Sequence, residues 1–268
     1  MTVNHPVNLP DLSGRVALVT GAGRGIGNAV AGDLARAGAT VAVVARSADR
    51  LADVVQEIRA AGGGAAAYAV DLTSLSAAQE LATRAARELG AIDVLVNNAG
   101  MVAPLGPTES LDAAEIQASY RLNVLAPMVL SAAVIPTMRA RNWGRIVNVS
   151  SGIVANPAGM VGANTYAGVK SALEAHSRNL AAELDGTGIT VNVYRPGRVD
   201  TAMQSWIRSQ DPARVGGGLV DRFAAAYQAG ELITPAESAA ALVSRLPSPD
   251  TGQIWNVADV SPHHTERN

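Results

Sequence analysis

The segment Asn164–His176, NTYAGVKSALEAH, places a phenol and an amine four residues apart. In a helix that spacing sets Tyr166 and Lys170 on one face. A free tyrosine ionises near pH ~10 and is a poor base at neutrality. An ammonium within about 4–6 Å favours the phenolate and draws that value toward the range where a side chain passes protons well. Taken alone, the two residues read as a surface Tyr–Lys pair, and their surroundings decide whether they do chemistry. A second stretch with chemical promise is TGAGRGIGNAVAGDLARAG, which begins at Thr20. Gly21, Gly25 and Gly27, with Arg24 and Ile26 among them, fall where an apolar strand turns into a helix. Glycine there accepts positive φ and lets the backbone approach a pyrophosphate. The helix start adds free N–H groups and the positive end of its dipole.

The end of the next strand, VAVVARSADRL, bears on which dinucleotide would fit. NAD sites usually carry Asp or Glu about 20 residues beyond the glycines, to take the ribose hydroxyls. Ala45 stands there, followed by Arg46. Arg46 and Arg24 together could clamp a 2′-phosphate with paired donors, or both could be solvated surface arginines. The pattern favours NADP(H), with NAD(H) the alternative. Asp49 is the nearest carboxylate and suits the first turn of the following helix.

These residues need elements to hold them. Apolar runs at 15–20, 40–45, 65–70, 93–97, 145–150, 190–195 and 253–257 read as strands, several of them buried on both faces. Helical patterns lie at 25–37, 48–61, 74–89, 111–141, 164–185 and 235–246. In SADRLADVVQEIRAAGG, Ser47 is the expected N-cap, Leu51, Val54, Val55 and Ile58 share a face, and Gly62 ends the helix. Pro127 and Pro136 should kink or shorten the helix at 111–141. The alternation implies an α/β domain with a doubly wound, parallel, seven-stranded sheet and helices on both faces. Residues 12–258 form the expected single domain, after an extension at 1–11 and before a tail at 259–268 expected to be disordered. Residues 197–232 break the rhythm and read as a substrate-side insertion, either a mobile lid or a long loop.

Composition narrows the function. Of 268 residues, 48% are hydrophobic and 16% charged, and the net charge is −2, so no basic face is expected to recruit nucleic acid or an anionic membrane. The chain has no cysteine, which suits a reducing cytoplasm and excludes thiolate zinc sites. The four histidines, His5, His176, His263 and His264, show no metal-ligand spacing. The first residues lack a secretory pattern, and no apolar run approaches the about 20 residues of a membrane span.

The motifs TGAGRGIG, Asp71–Leu72, NNAG at 97–100, Asn123, VSS at 149–151, YAGVK at 166–170 and PGRVDT at 196–201 occur in that order. The chain thereby resembles the short-chain dehydrogenase/reductase family, in its compact single-domain branch, over about residues 12 to 258. The resemblance implies a Rossmann-type sheet, a nicotinamide dinucleotide and a Ser–Tyr–Lys–Asn active site. By position Tyr166 matches the acid/base, Lys170 its activating partner and Asn123 the holder of a water against the lysine. Asp71 and Leu72 match the adenine contact. Asn98, Ala99 and Gly100 match the stretch along the cofactor. Thr201 matches the hydroxyl that meets the carboxamide, with Pro196, Gly197 and Val199 in the same turn. Ser150 and Ser151 compete for the serine role. Neighbours at a strand end point opposite ways, and the family usually uses the second, so Ser151 is chosen. The loop from Ser151 to Tyr166 is longer than the family's common pattern, and the ending NVADVSP replaces a Gly-rich one.

The implied reaction passes hydride between NADP(H) and a carbonyl or secondary alcohol, with Tyr166 moving the proton and Ser151 stabilising the oxyanion. A dehydratase or dehalogenase reaction and a non-catalytic dinucleotide sensor are the alternatives, and the intact Tyr166–Lys170 pair counts against the dehalogenase and the sensor. Val102, Val154, Met160, Met203 and Trp206 are candidates for an apolar substrate pocket or for packing. Arg195 and Arg198 are read as solvated. The resemblance implies a homotetramer, with a dimer second, and Ala172, Ala175 and Ala182 would suit close helix contact.

Overall fold

The computed structural model describes residues 9–260. The expected disorder around His263 and His264 lies outside the described residues. Among the described residues seven strands are present: β1 (Val16–Thr20), β2 (Thr40–Ala45), β3 (Gly64–Ala69), β4 (Val94–Asn97), β5 (Gly144–Val149), β6 (Ile189–Arg195) and β7 (Ile254–Asn256). All are parallel, in the order β3-β2-β1-β4-β5-β6-β7. The helices are α1 (Gly25–Arg36), α2 (Ala48–Ala60), α3 (Leu75–Leu89), α4 (Ala113–Tyr120), α5 (Ala126–Ala140), α6 (Asn164–Glu183), α7 (Ala202–Arg208), α8 (Pro212–Val215), α9 (Gly217–Gln228) and α10 (Pro235–Val243).

Alternate residues of each strand face opposite ways, so a sheet covered on both sides needs apolar residues throughout. In β1, Ala17 and Val19 join one core with Val30, Leu34, Leu51, Val54 and Leu242. Val16 and Leu18 join the other, with Leu81, Leu130, Met138 and Leu184. On α2, Leu51, Val54, Val55 and Ile58 are all buried, Ser47 accepts from Arg50 N, and Asp49 lies in the first turn. The chain winds outward through β2 and β3, then returns to place β4 on the other side of β1. Such a reversal opens a crevice beyond the carboxyl ends of the two central strands.

A buried polar chain fixes α6 against the sheet. Asn97 Nδ2 donates to Asn148 Oδ1 at 2.8 Å, and Asn148 Nδ2 donates to Ser177 Oγ at 2.8 Å. Ser177 Oγ in turn donates to Leu173 O at 2.6 Å. These pairings offset most of the cost of burying the polar groups, although Asn97 Oδ1 has no partner among the described residues, and a wrong rotation of α6 would break the Asn148–Ser177 bond.

The helix expected at 111–141 is one continuous run with a wide π-helical turn at Arg121–Leu125. Asp112 caps its start, accepting from Ala114 N at 2.8 Å and Glu115 N at 3.0 Å. Pro127 sits in the first turn of α5, just past the wide turn. Lacking an N–H, it cannot bond back to the preceding turn, and the ladder loosens there. Pro136 lies inside α5, yet the helix continues to Ala140. By length and composition the run Ala113–Ala140 is apolar enough to cross a membrane, contrary to the expectation above. Within it Ala126, Leu130, Val134 and Met138 bury against the sheet.

The insertion at 197–232 is not an irregular long loop. It folds into α7, α8 and α9, and Ile207, Val215, Leu219 and Val220 close a third core over Val102, Ile153, Tyr166 and Val169.

Candidate active site

A cleft of about 410 Å³ opens at the carboxyl ends of β1, β2 and β4. Gly21, Arg24, Gly25, Ile26, Arg46, Asp71, Leu72, Asn98, Ala99, Gly100, Tyr166, Lys170, Pro196 and Thr201 all line it. At Gly21, φ is +67°, and a Cβ would fall 2.8 Å from Asn98 Nδ2 and 2.9 Å from Ala99 Cα. Helix α1 starts at Gly25 with no side-chain cap, so its first N–H groups are available to an anion. Arg24 and Arg46 stand at this end, Ala45 offers no carboxylate, and Asp71 lies nearby. Hydrogen bonding from Thr73, first of all from its backbone N–H, holds the Asp71 carboxyl below its usual range, with Arg46 adding to the effect.

Several expected contacts lie elsewhere. Gly27 does not line the cleft; a Cβ there would meet Gly21 O at 2.4 Å, so it serves the packing of α1 on the loop. The Val199 side chain is buried, and its backbone bridges to Ile233. Gly197 lines an adjoining pocket instead. The Asn98 amide faces back to β1, donating to Thr20 O at 2.9 Å. Thr20, absent from the sequence reading, accepts from Asn98 N and Ala99 N through Oγ1, each at 3.0 Å. Its position as the last residue of β1 was the available signal.

Three consecutive residues after the core of β5 engage three successive turns of α6. Val149 O accepts from Lys170 Nζ at 2.9 Å. Ser150 Oγ donates to Glu174 Oε1 at 2.7 Å. Ser151 is turned the other way, and hydrogen bonding between its hydroxyl and Tyr166 favours the phenolate. The two serines thus face opposite sides as expected, with Ser151 on the tyrosine side.

Tyr166 and Lys170 are both buried, with Lys170 Nζ 5.8 Å from the centre of the phenol ring. Burial pulls Lys170 down to about 8, and the Glu174 carboxylate opposes this. Burial pushes Tyr166 up, outweighing Ser151. The expectation that Lys170 holds the tyrosine below its ordinary value is therefore corrected for the chain alone: desolvation dominates, because both charged forms are disfavoured in an apolar interior.

Asn123 is completely buried on the wide turn. Its Nδ2 donates to Ser119 O and Met101 O, each at 3.0 Å, and its Oδ1 has no partner among the described residues. A Cβ on Gly100 would lie 2.8 Å from Asn123 Oδ1 and 3.5 Å from Lys170 Nζ, so both atoms border the space that this glycine leaves.

Arg195 is not solvated. It donates to Glu174 through two nitrogens, at 2.9 and 2.8 Å, in a largely buried ion pair. Arg198 pairs with Glu231 at the surface. On the substrate side a pocket of about 250 Å³ adjoins Ser151, lined also by Ile153, Asn156, Met160, Gln204 and Phe223. Met203 lines the main cleft, Val102 lies in the core and Trp206 is exposed.

The family pattern described as short chain dehydrogenase matches residues 15–212. The chain belongs to the short-chain dehydrogenase/reductase family. Its members include a short chain dehydrogenase from Pseudocercospora fijiensis, 41% identical over 72% of this chain and 62% of that protein. A ketoacyl reductase from Nostoc sp. is 34% identical over 91% of this chain and 79% of its own. An actinorhodin polyketide ketoreductase variant, solved with NADPH, superposes with a TM-score of 0.81 at 32% identity, covering 93% of this chain and 97% of its own. As a short-chain dehydrogenase/reductase, the chain is an NAD(P)-dependent oxidoreductase.

The buried lysine has a consequence for stability. Its folded value, about 8, lies below the ordinary 10.5, so between those values the unfolded chain binds more protons. Stability contributed by this group is therefore lowest below pH about 8 and rises toward pH about 10.5, by on the order of 1 kcal/mol per pH unit. Urea unfolding of the cofactor-free protein across that window should show the rise, and Lys170→Met should remove it; an equal rise in both proteins would contradict the burial.

Proposed function

We propose that the chain reduces a ketone or aldehyde with NADP(H), and oxidises the corresponding alcohol in reverse, with Tyr166 as the acid/base. The reading is supported by Tyr166 and Lys170 lining an arginine-rimmed cleft, by Ser151 bonding to Tyr166 from the adjoining pocket, and by Asn123 Oδ1 bordering the same space as Lys170 Nζ. The cleft fits the cofactor: an uncapped helix start suits the pyrophosphate, and Arg24 and Arg46 suit a 2′-phosphate. When bound, the reduced nicotinamide supplies the hydride that the carbonyl carbon accepts. Ser151 donates a hydrogen bond to the carbonyl oxygen, and Tyr166 gives that oxygen its proton, so that C=O becomes CH–OH. Lys170 stabilises the phenolate left behind, and the free Asn123 Oδ1 holds a water against the ammonium. Helices α7 to α9 cover the substrate side, where the pocket beside Ser151 admits the rest of the molecule.

We also propose a homotetramer built on α4, α5 and α6, with a dimer second. Tyr120, Leu125 and Met128 are exposed apolar side chains on α4, the wide turn and α5, and Ala175 and Ala182 are exposed on α6. Light scattering should give the mass of four copies; one copy would remove the proposal. For the activity, NADPH oxidation over a panel of ketones should exceed NADH oxidation. Tyr166→Phe should keep cofactor binding and lose at least ~100-fold in kcat. Retained turnover in that variant would refute the assignment, and cofactor binding without turnover in the parent protein would favour a sensor.

A further inference from the structure

The ion pair between Glu174 and Arg195 lies outside the four residues of the proposed reaction, yet it joins α6, which carries Tyr166 and Lys170, to the end of β5 beside Ser151. Glu174 is 5% exposed and accepts from Ser150 Oγ, Arg195 Nε and Arg195 Nη2. A buried carboxylate is costly unless paired and hydrogen-bonded, and this one is both. It stands one helical turn beyond Lys170, so positions 166, 170 and 174 form one row on α6. Ser150 lies between Val149, which accepts from Lys170, and Ser151. Arg195 ends β6 and leads directly into Pro196 and Gly197.

We propose that Glu174 is a positioning residue for proton transfer: its carboxylate ties the helix of Tyr166 and Lys170 to the ends of β5 and β6, and its charge, balanced by Arg195, keeps Lys170 an ammonium. The inference rests on the roles given above to Tyr166 and Lys170. Among the described residues, the titratable groups in this row are Tyr166 and Lys170 on α6 and Arg195 from β6; β5 and the wide turn contribute Ser150, Val149 O and Asn123, which do not titrate. Glu174 is the charge that acts on Lys170, opposing the pull of burial.

A passive staple and a charge-balancing group differ in one respect. Removing either partner of a staple loosens the structure in the same sense. Removing either partner of a charge balance moves Lys170 in opposite senses. Glu174→Gln takes away the anion and leaves the Arg195 cation, so Lys170 should lose its proton at lower pH. Arg195→Gln leaves the anion unopposed, so Lys170 should hold its proton to higher pH. A partner charge at this range moves a group by about 1 pH unit or more.

Lys170 is the chain's only lysine, so protein labelled with ¹³C-lysine gives a single side-chain signal to titrate. The expected result is a midpoint about 1 pH unit below the parent in Glu174→Gln and above it in Arg195→Gln. The alkaline limb of kcat in carbonyl reduction should move the same ways. If Glu174→Gln does not fold, the neutral double variant Glu174→Gln/Arg195→Gln replaces it, with a midpoint below the parent because the nearer charge is lost. Unmoved midpoints, or shifts in one direction for both single variants, overturn the role of Glu174 and leave Tyr166 in place. Turnover retained by Tyr166→Phe overturns the site assignment while leaving the lysine titrations as they are.

Discussion

An ammonium group buried beneath a helix is the constraint around which this protein is arranged. Lys170 brings the chain's only lysine into the interior, where charge is expensive unless other groups answer it. Val149 O answers it directly, and Glu174 answers it at one turn's remove. Gly100, by lacking a side chain, leaves room beside it that the Asn123 carbonyl oxygen also borders. None of these groups would serve if α6 were rotated or shifted along its axis. The polar chain from Asn97 through Asn148 to Ser177, and the contacts of Ser150 and Arg195 with Glu174, hold that helix in register.

The sheet explains why such a site lies where it does. Winding reverses between β1 and β4, so their carboxyl ends diverge and leave a crevice. The glycine loop forms one wall, brought close to β4 by Gly21 and held through Thr20 and Asn98. The ends of β5 and β6 form the other wall. Asn123 reaches in from a helix whose wide turn frees its side chain from the regular pattern. One end of the crevice is suited to phosphate, and the other holds a phenol and an amine.

Much of this was legible in the sequence because it depends on local chemistry. Strands buried on both faces are apolar at most residues, and all seven lie within a residue or so of their expected limits. Ser47 and Gly62 mark the ends of α2 because capping and positive φ restrict residue type. The family resemblance carried by the ordered motifs implied that Tyr166, Lys170 and Asn123 share one site. The misses depended on tertiary surroundings. The helices at 202–228 are short and interrupted by Gly216, so their pattern carried little periodicity. Arg195 looked solvated because its partner lies on another element, although the spacing of 166, 170 and 174 could have revealed Glu174. The Tyr166 ionisation was misjudged because the effect of a neighbouring charge can be read from spacing, whereas burial cannot.

Burial and the Ser151 hydrogen bond oppose each other at the phenol, and proton transfer depends on how bound cofactor shifts that balance. The most direct measurement follows phenolate absorbance against pH in the free protein and in its complex with NADP⁺, using Tyr166→Phe as the reference. In the free protein this tyrosine should ionise above the ordinary range. In the complex, where the oxidised ring would add a positive charge to the site, one tyrosine should ionise at distinctly lower pH, and the reference should lack that step. Superimposable titrations with and without NADP⁺ would contradict the proposed roles of Tyr166 and Lys170.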